Sequence, residues 1–319
     1  MTGTRTRSLV EAVLLAVLSV LLVLAGSWVP VVGLFGLLFS PLPTLVATVR
    51  LGPRLGLASA TVASLVVLLV AGPLGAVATW LDLVAFGAGM GWAWQSRRDP
   101  LWVIGAGAVG MVVTTLATLT ISRLFLGQDL LAQLTQQMLR SAEEAGALLK
   151  ASGGMQAGQV EEATRQLSQQ LHLLMGELLP GVVLAAGAGY ALLLVAVAGP
   201  LARRLDLPPL TLPPFAGWDL PTWTVGLWGI GFVLSLASER LAGGLLRSTG
   251  ANLVLIGQML FLVEGTAFAY FWLRRWHLAK GLAVLILVIL LVNPYFSQVL
   301  VWLGLFESIV HMRRSTGVS

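Results

Sequence analysis

A chain of 319 residues with 57% hydrophobic and 10% charged residues and a mean hydropathy of +0.89 lies far outside the range of soluble domains. Its 19 lysines and arginines against 14 acids leave a formal charge of +5, spread thinly along apolar sequence, and no nucleic acid is expected among its partners. With no cysteine, the chain holds no disulfide, thiolate metal site or lipidated cysteine.

The apolar runs recur at the ~20 residues that a helix rising ~1.5 Å per residue needs to cross ~30 Å of hydrocarbon. No strand-like alternation competes with them, so the expected fold is all-α: a polytopic transmembrane bundle of ten spans, eight at the fewest. The first run, 9–25, follows Arg5 and Arg7 and ends in Leu24-Ala25-Gly26-Ser27, which raises the alternative of a removable signal peptide. Cleavage of the lipoprotein type would need cysteine where Ser27 stands, and many spans follow, so an uncleaved first span is expected. Further spans are predicted at 29–49, 55–70, 74–94, 101–126, 171–198, 221–237, 251–273, 279–292 and 295–310. Asn293-Pro294 between the last two is either a tight outer turn or the break of a re-entrant pair.

Charge placement orients these spans, because lysine and arginine accumulate on the cytoplasmic side of short loops. Arginine pairs at 5 and 7, 50 and 54, 97 and 98, 203 and 204, 274 and 275, and 313 and 314 all fall on one side of a ten-span bundle. Both termini are therefore expected in the cytoplasm, with the chain multi-pass in the bacterial cytoplasmic (inner) membrane.

The second span carries Pro41 and Pro43 near its middle. Each deletes a backbone donor and leaves a carbonyl unpaired in hydrocarbon, and broken helices are tolerated there only against protein or water. This span is expected to face the bundle interior, as a kinked packing element or as one wall of a substrate cavity. Arg50-Leu51-Gly52-Pro53-Arg54 then reads as the inner turn to the third span.

Segment 127–170 differs in kind, rich in glutamine and charge, with Leu130, Leu131, Leu134, Met138 and Ala142 at helical spacing. Ser152-Gly153-Gly154 breaks that pattern before Val160, Ala163, Leu167 and Leu171 resume it. An extracytoplasmic helical hairpin is expected, either a solvated cap or a docking site for another protein. It separates a front membrane bundle, 1–126, from a back bundle, 171–319. Within the latter, the proline-rich stretch 205–223 forms an inner elbow, with Trp218 and Trp223 suited to the membrane interface.

The segments "LPTLVATVRLG", "AGPLGAVATWLDLVAFGAGMGWAWQSRR", "PPFAGWDLP", Asn252 with the Gly257 region, and "LGLFESIVHMRR" together resemble the YybS-like family of bacterial membrane proteins. That resemblance covers essentially the whole chain and implies a polytopic cytoplasmic-membrane protein, without catalytic residues to carry over. More remotely, the first part is similar to the S components of energy-coupling-factor transporters. This likeness implies a partner-docking stripe of small residues at Gly56, Ala60 and Ser64, which ordinary close packing also explains.

Signals of soluble enzymes do not gather. "GAGAVG" at 105–110 follows no strand and reads as a packing face, as do Gly87, Gly89 and Gly91. No Walker A sequence occurs, so coupling to ATP would need another membrane protein. His172, His277 and His311 stand apart, so no metal site is expected, nor any cofactor. No nucleophile, base and orienting group assemble into a catalytic centre, and the chain is not expected to be an enzyme.

Two acids in predicted spans remain, Asp82 and Glu264, where an ionised group costs at least ~2.5 kcal/mol. Glu264 shares a helical face with Phe261, Phe268 and Phe271, an arrangement suited to an organic cation, while protonation or interhelical packing is the alternative for either acid. Glu11, Glu177 and Glu307 are expected at wetted span ends. Two functions stand: a small-molecule-binding transporter subunit lacking its own ATPase, with Pro41, Pro43, Asp82 and Glu264 at its cavity, or a membrane scaffold or assembly partner with no transport activity.

Overall fold

The computed structural model describes residues 2–28, 30–97, 99–151, 157–241 and 244–315, and among them there are helices and turns but no strand. In chain order the helices are α1 (Thr2–Trp28), α2 (Pro30–Phe39), α3 (Pro41–Leu51), α4 (Pro53–Asp82), α5 (Met90–Arg97), α6 (Pro100–Leu126) and α7 (Leu130–Ala151). They continue as α8 (Ala157–Leu173), α9 (Leu179–Arg204), α10 (Trp223–Leu241), α11 (Gly244–Arg275), α12 (Lys280–Val292), α13 (Pro294–Val310) and α14 (Met312–Ser315). Two π-helical segments, Leu83–Gly89 and Leu174–Leu178, join α4 to α5 and α8 to α9. The break expected at Ser152-Gly153-Gly154 lies outside the described residues.

Among the described residues six helical stretches are long and apolar enough to cross a bilayer, or seven if α12 and α13, bent by 106° at Asn293-Pro294, count as one. One of the six, Pro53–Ser96, is 44 residues long, about twice what a crossing needs. Its backbone leaves the helix at Gly72, with φ 74° and ψ −176°, just before Pro73. Trp80 Nε1 donates to Thr61 Oγ1 over 3.1 Å although 19 residues separate them. A straight helix would hold those residues about 28 Å apart, so the stretch turns back on itself. The predicted spans 55–70 and 74–94 are its two legs.

The chain gathers into two compact units, Met1–Leu130 with Val183–Leu212, and Leu131–Val182 with Pro213–Ser319. This division cuts across the expected chain-order parts 1–126, 127–170 and 171–319. α9 from Val183 onward packs with the front helices, and α7 and α8 gather with the later ones.

The first unit is built around α3, whose residues from Pro41 to Val49 are all buried. A helix apolar or small all round needs neighbours on every side. Glycines supply the close approach: a Cβ on Gly87 would come within 2.6 Å of Thr44, and one on Gly91 within 2.6 Å of Thr48. The surrounding core of Leu45, Phe86, Met90, Trp94, Ala191 and Leu194 is fully buried.

The carbonyls orphaned by proline find side-chain partners. Pro41 cannot donate to Leu37 O, which instead accepts from Ser40 N at 3.3 Å and Ser40 Oγ at 2.9 Å. Leu38 O, at the same break, accepts from the Tyr190 hydroxyl at 2.8 Å. Pro53 cannot donate to Val49 O, and Gln95 Nε2 does so at 2.9 Å. Between α3 and α4, Gly52 takes φ +98°, a conformation open to glycine, and Arg50 pairs with Glu11 of α1 at 2.9 Å.

In the second unit α11 is the hub, with α10 and α13 packed against it. Gly265 and Gly304 mark the closest approach of α11 and α13: a Cβ on either would meet the partner's backbone, Gly304 N at 2.9 Å or Gly265 N at 2.8 Å. A second contact opens a helix. Gly181 N, which would ordinarily donate to Glu177 O, donates to Asn252 Oδ1 at 2.6 Å, while Asn252 Nδ2 donates to Glu177 O at 2.7 Å. The carboxamide of Asn252 thus inserts into a single helical hydrogen bond and satisfies both of its ends.

Candidate functional site

The densest buried polar cluster described lies in the second unit around Glu264 of α11. Glu264 is 0% exposed, Ser308 0%, Glu307 1% and Arg313 8%. Three stretches converge there. α11 brings Glu264, the end of α13 with α14 brings Glu307, Ser308 and Arg313, and the elbow brings the backbone of Ala216 and Leu220.

The guanidinium of Arg313 is the centre of the cluster. Its Nε donates to Glu307 Oε1 at 2.8 Å, its Nη1 to Ala216 O at 3.0 Å and its Nη2 to Glu264 Oε1 at 3.4 Å. Glu264 Oε2 accepts from the Ser308 hydroxyl, and Oε1 also accepts from Leu220 N at 3.4 Å. Glu307 additionally accepts from Met312 N at 3.0 Å and Arg313 N at 3.1 Å. His311, at φ +52°, turns the chain between α13 and α14 so that these amides face the carboxylate. Burying two acids and one base in an apolar unit costs several kcal/mol per ion in desolvation, and such a group persists because each charge meets opposite charge and hydrogen bonds.

Glu307 therefore differs from expectation. It is buried because Arg313 folds back over it, a contact that span-end placement alone does not reveal. Phe261, Phe268 and Phe271 do share α11 with Glu264, and each ring is engaged by an indole: Phe261 with Trp228 at 6.2 Å, Phe268 with Trp272 at 6.2 Å and Phe271 with Trp272 at 5.9 Å. The positive charge that meets Glu264 is the chain's own.

Asp82, in the first unit, closes α4 immediately before the π-helical segment Leu83–Gly89 and is half-buried. Its carboxylate lies within electrostatic reach of Tyr190, whose ring packs edge-on against Phe86 at 4.5 Å between centroids. Tyr190 also bonds the α2–α3 break, so Asp82, Tyr190 and the Pro41–Pro43 region form one neighbourhood. The small-residue stripe is elsewhere. Gly56, Ala60 and Ser64 are buried, with Gly56 against Thr48 of α3, and Ala60 in a cluster with Ala16 and Val20 of α1 and Leu83. Packing within the chain accounts for the small residues at Gly56, which faces α3, and Ala60, which faces α1.

Sequence reasoning missed Arg313, Ser308, Tyr190 and Gln95 as site or support residues. Arg313 reads as an inner-side anchor, and only its neighbour Glu307, an acid inside an apolar run, hints that a base must be near.

An all-helical chain of this apolarity, with six or seven helical stretches among its described residues long and apolar enough to cross a bilayer, is a multi-pass integral membrane protein. The model of a family described as predicted membrane protein, DUF2232, matches residues 17–308, and the chain belongs to that family. It is 29% identical over 312 residues to the uncharacterized protein YybS of Bacillus subtilis (strain 168), an alignment spanning 97% of this chain and 98% of that protein. No solved structure matches the chain. Two segments that carry the resemblance, "PPFAGWDLP" and "LGLFESIVHMRR", are the ones that meet at Glu264.

Proposed function

We propose that the chain is a membrane scaffold or assembly partner, without catalysis or transport of its own, which contacts another membrane protein through α7 and α8 on the outer side of the cytoplasmic membrane. The observation that carries this reading is the apolar face those helices leave open. Leu134, Met138 and Leu148 are 49%, 46% and 72% exposed, and Leu134, Met138 and Leu167 line an open groove with Gln137 and Ser141. A protein partner fits this face better than lipid head groups do. Arg140 and Lys150 are balanced by Glu143 and Glu144 on α7, and Arg165 is outweighed by Glu161 and Glu162 on α8. Neither helix offers the basic face that anionic lipids attract.

A photo-crosslinking residue placed at Met138 in living cells tests the reading. The expected result is a discrete adduct with one membrane protein, lost when Leu134→Glu is added. Crosslinking to lipid alone, or an adduct unaffected by Leu134→Glu, contradicts it.

A second reading, a small-molecule-binding transporter subunit energised by another membrane protein, is favoured by the neighbourhood of Asp82. A carboxylate, a tyrosine and a broken helix near mid-span are the parts from which transporter sites are built. Thermal stabilisation of the purified protein by an amine or vitamin, lost in Asp82→Asn, would select this reading over the first.

A further inference from the structure

Several of the arginines that flank the spans have an acid at hand. Arg50 is paired with Glu11 and Arg313 with Glu307, and in sequence Asp99 and Asp206 follow closely on the arginine pairs at 97 and 98 and at 203 and 204. The turn from α11 to α12, in the second unit, is different. Arg274, Arg275 and Lys280 stand in a stretch without an acid between Glu264 and Glu307, and none of the three forms an ion pair among the described residues. Because α11 is long and apolar enough to cross a bilayer and ends at Arg275, this turn lies at a membrane surface.

The turn has a fixed shape. His277 N donates to Arg274 O at 3.1 Å and Leu278 N to Leu273 O at 3.3 Å, the paired bonds of a Schellman cap, with His277 itself at φ +60°. Two side chains close it further: Arg274 Nη1 donates to Leu278 O at 2.6 Å, and His277 Nδ1 lies 2.9 Å from Arg275 O. The guanidinium of Arg275 stays out of this bonding. It lies over the Trp272 ring, 5.5 Å from the centroid, and Trp276, 66% exposed, packs beside Trp272 at 6.4 Å. A guanidinium laid over an indole face keeps its N–H donors for an outside acceptor, because they point along its own plane. The Lys280 ammonium is exposed and likewise meets no acceptor among the described residues.

We propose that this turn binds the headgroup phosphate of an anionic phospholipid: Arg275 and Lys280 pair with it, Arg274 holds the turn in shape, and Trp272 and Trp276 seat it at the interface. Exposed tryptophans mark the boundary of hydrocarbon and water, where the anion within reach is a lipid phosphate. Unpaired cations with no acid beside them favour a lipid of net negative charge over a zwitterionic one, whose own cation would be brought against them. The proposal rests on the second unit alone, goes beyond the docking of a protein on α7 and α8, and holds whichever side of the membrane the turn faces.

Reconstitution in nanodiscs of phosphatidylcholine, with and without ~20 mol% phosphatidylglycerol, tests it. Phosphatidylglycerol is expected to raise the wild-type Tm by about 3 °C, as a ligand that binds the folded state does. Arg275→Gln/Lys280→Gln is expected to lose that rise. Arg203→Gln/Arg204→Gln, which removes an equal charge next to Asp206, is expected to keep it. Should the first double variant fail to fold, Lys280→Gln alone, at an exposed position, is expected to lose about half of the rise, and a full rise in its place would overturn the site. Equal losses in the two double variants would reduce the effect to diffuse attraction and overturn it too, as would a wild type that does not respond. The same rise from ~10 mM inorganic phosphate in discs of phosphatidylcholine alone would assign the turn to a free anion and overturn the lipid.

Discussion

Asn252 and Glu307 hold their surroundings by different means, and replacing each should show it. The Asn252 carboxamide is the partner of Gly181 N and shares Glu177 O with the Ser248 hydroxyl at 3.0 Å, so Asn252→Leu strands the buried Gly181 donor while Glu177 O keeps a partner. A loss of ~1–3 kcal/mol for that unsatisfied donor is expected, read as a fall in Tm in nanodiscs. Wild-type stability for Asn252→Leu would mean that the helix closes its own hydrogen bond when the amide leaves. For the acids the two amide variants should differ. Glu264→Gln leaves one carboxylate for one guanidinium and is expected to be neutral or stabilising. Glu307→Gln instead turns an amide NH2 either toward Met312 N or toward Arg313 N and Nε together, and in both cases removes the charge that faces the Arg313 guanidinium. It is expected to cost ~2–4 kcal/mol. A larger Tm loss for Glu264→Gln than for Glu307→Gln would contradict this assignment. Sequence made Glu264 conspicuous because a lone acid in an apolar run has few explanations, but its partner stayed hidden among the inner arginines. Nothing local to Arg313 distinguishes an anchor at the head groups from a guanidinium folded back into protein.

At the scale of elements, what could be read in advance followed from covalent constraints. Pro41, Pro43 and Pro53 delete donors wherever they stand, so the α2–α3 break and the α3–α4 turn were legible, as was the reversal at Gly72-Pro73. The π-helical segments were not. Leu174–Leu178 adjoins the bond that Asn252 intercepts from another helix, a tertiary event with no signature in local spacing. The docking stripe illustrates the converse, since small residues at Gly56, Ala60 and Ser64 show that a backbone approaches closely but not whose backbone it is. The contact between α11 and α13 is the most exacting of these crossings. A Cβ at Gly304 would meet Phe261 O and come within 2.8 Å of Gly265 N, backbone atoms that cannot rotate aside. Gly304→Val is therefore expected to cost at least the upper end of the ~1–3 kcal/mol typical of overpacking. Gly158→Val, with nothing within 4 Å of the added carbon, is expected to leave Tm nearly unchanged. Equal effects of the two substitutions would show that the α11–α13 approach has slack.

For the molecule as a whole, the all-helical class was legible because apolar runs of bilayer length leave few folds open, and the family through the quoted segments that resemble it. The exact number of crossings was not, since the short runs 280–292 and 294–310 do not reveal by themselves whether α12 and α13, bent by 106° at Asn293-Pro294, are two passes or one broken span. Nor does chain order reveal that residues from Val183 onward pack with the front helices. We propose that α7 and α8 stand outside the cytoplasm as the working face of this multi-pass membrane protein, with its termini inside. Since the chain has no cysteine, a single one introduced at Gly158, an exposed position with open space around it, reports its side without background. A membrane-impermeant maleimide is expected to label Gly158→Cys in intact cells stripped of any outer wall, and Ser315→Cys only after lysis. Labelling of Gly158→Cys only after lysis would contradict it.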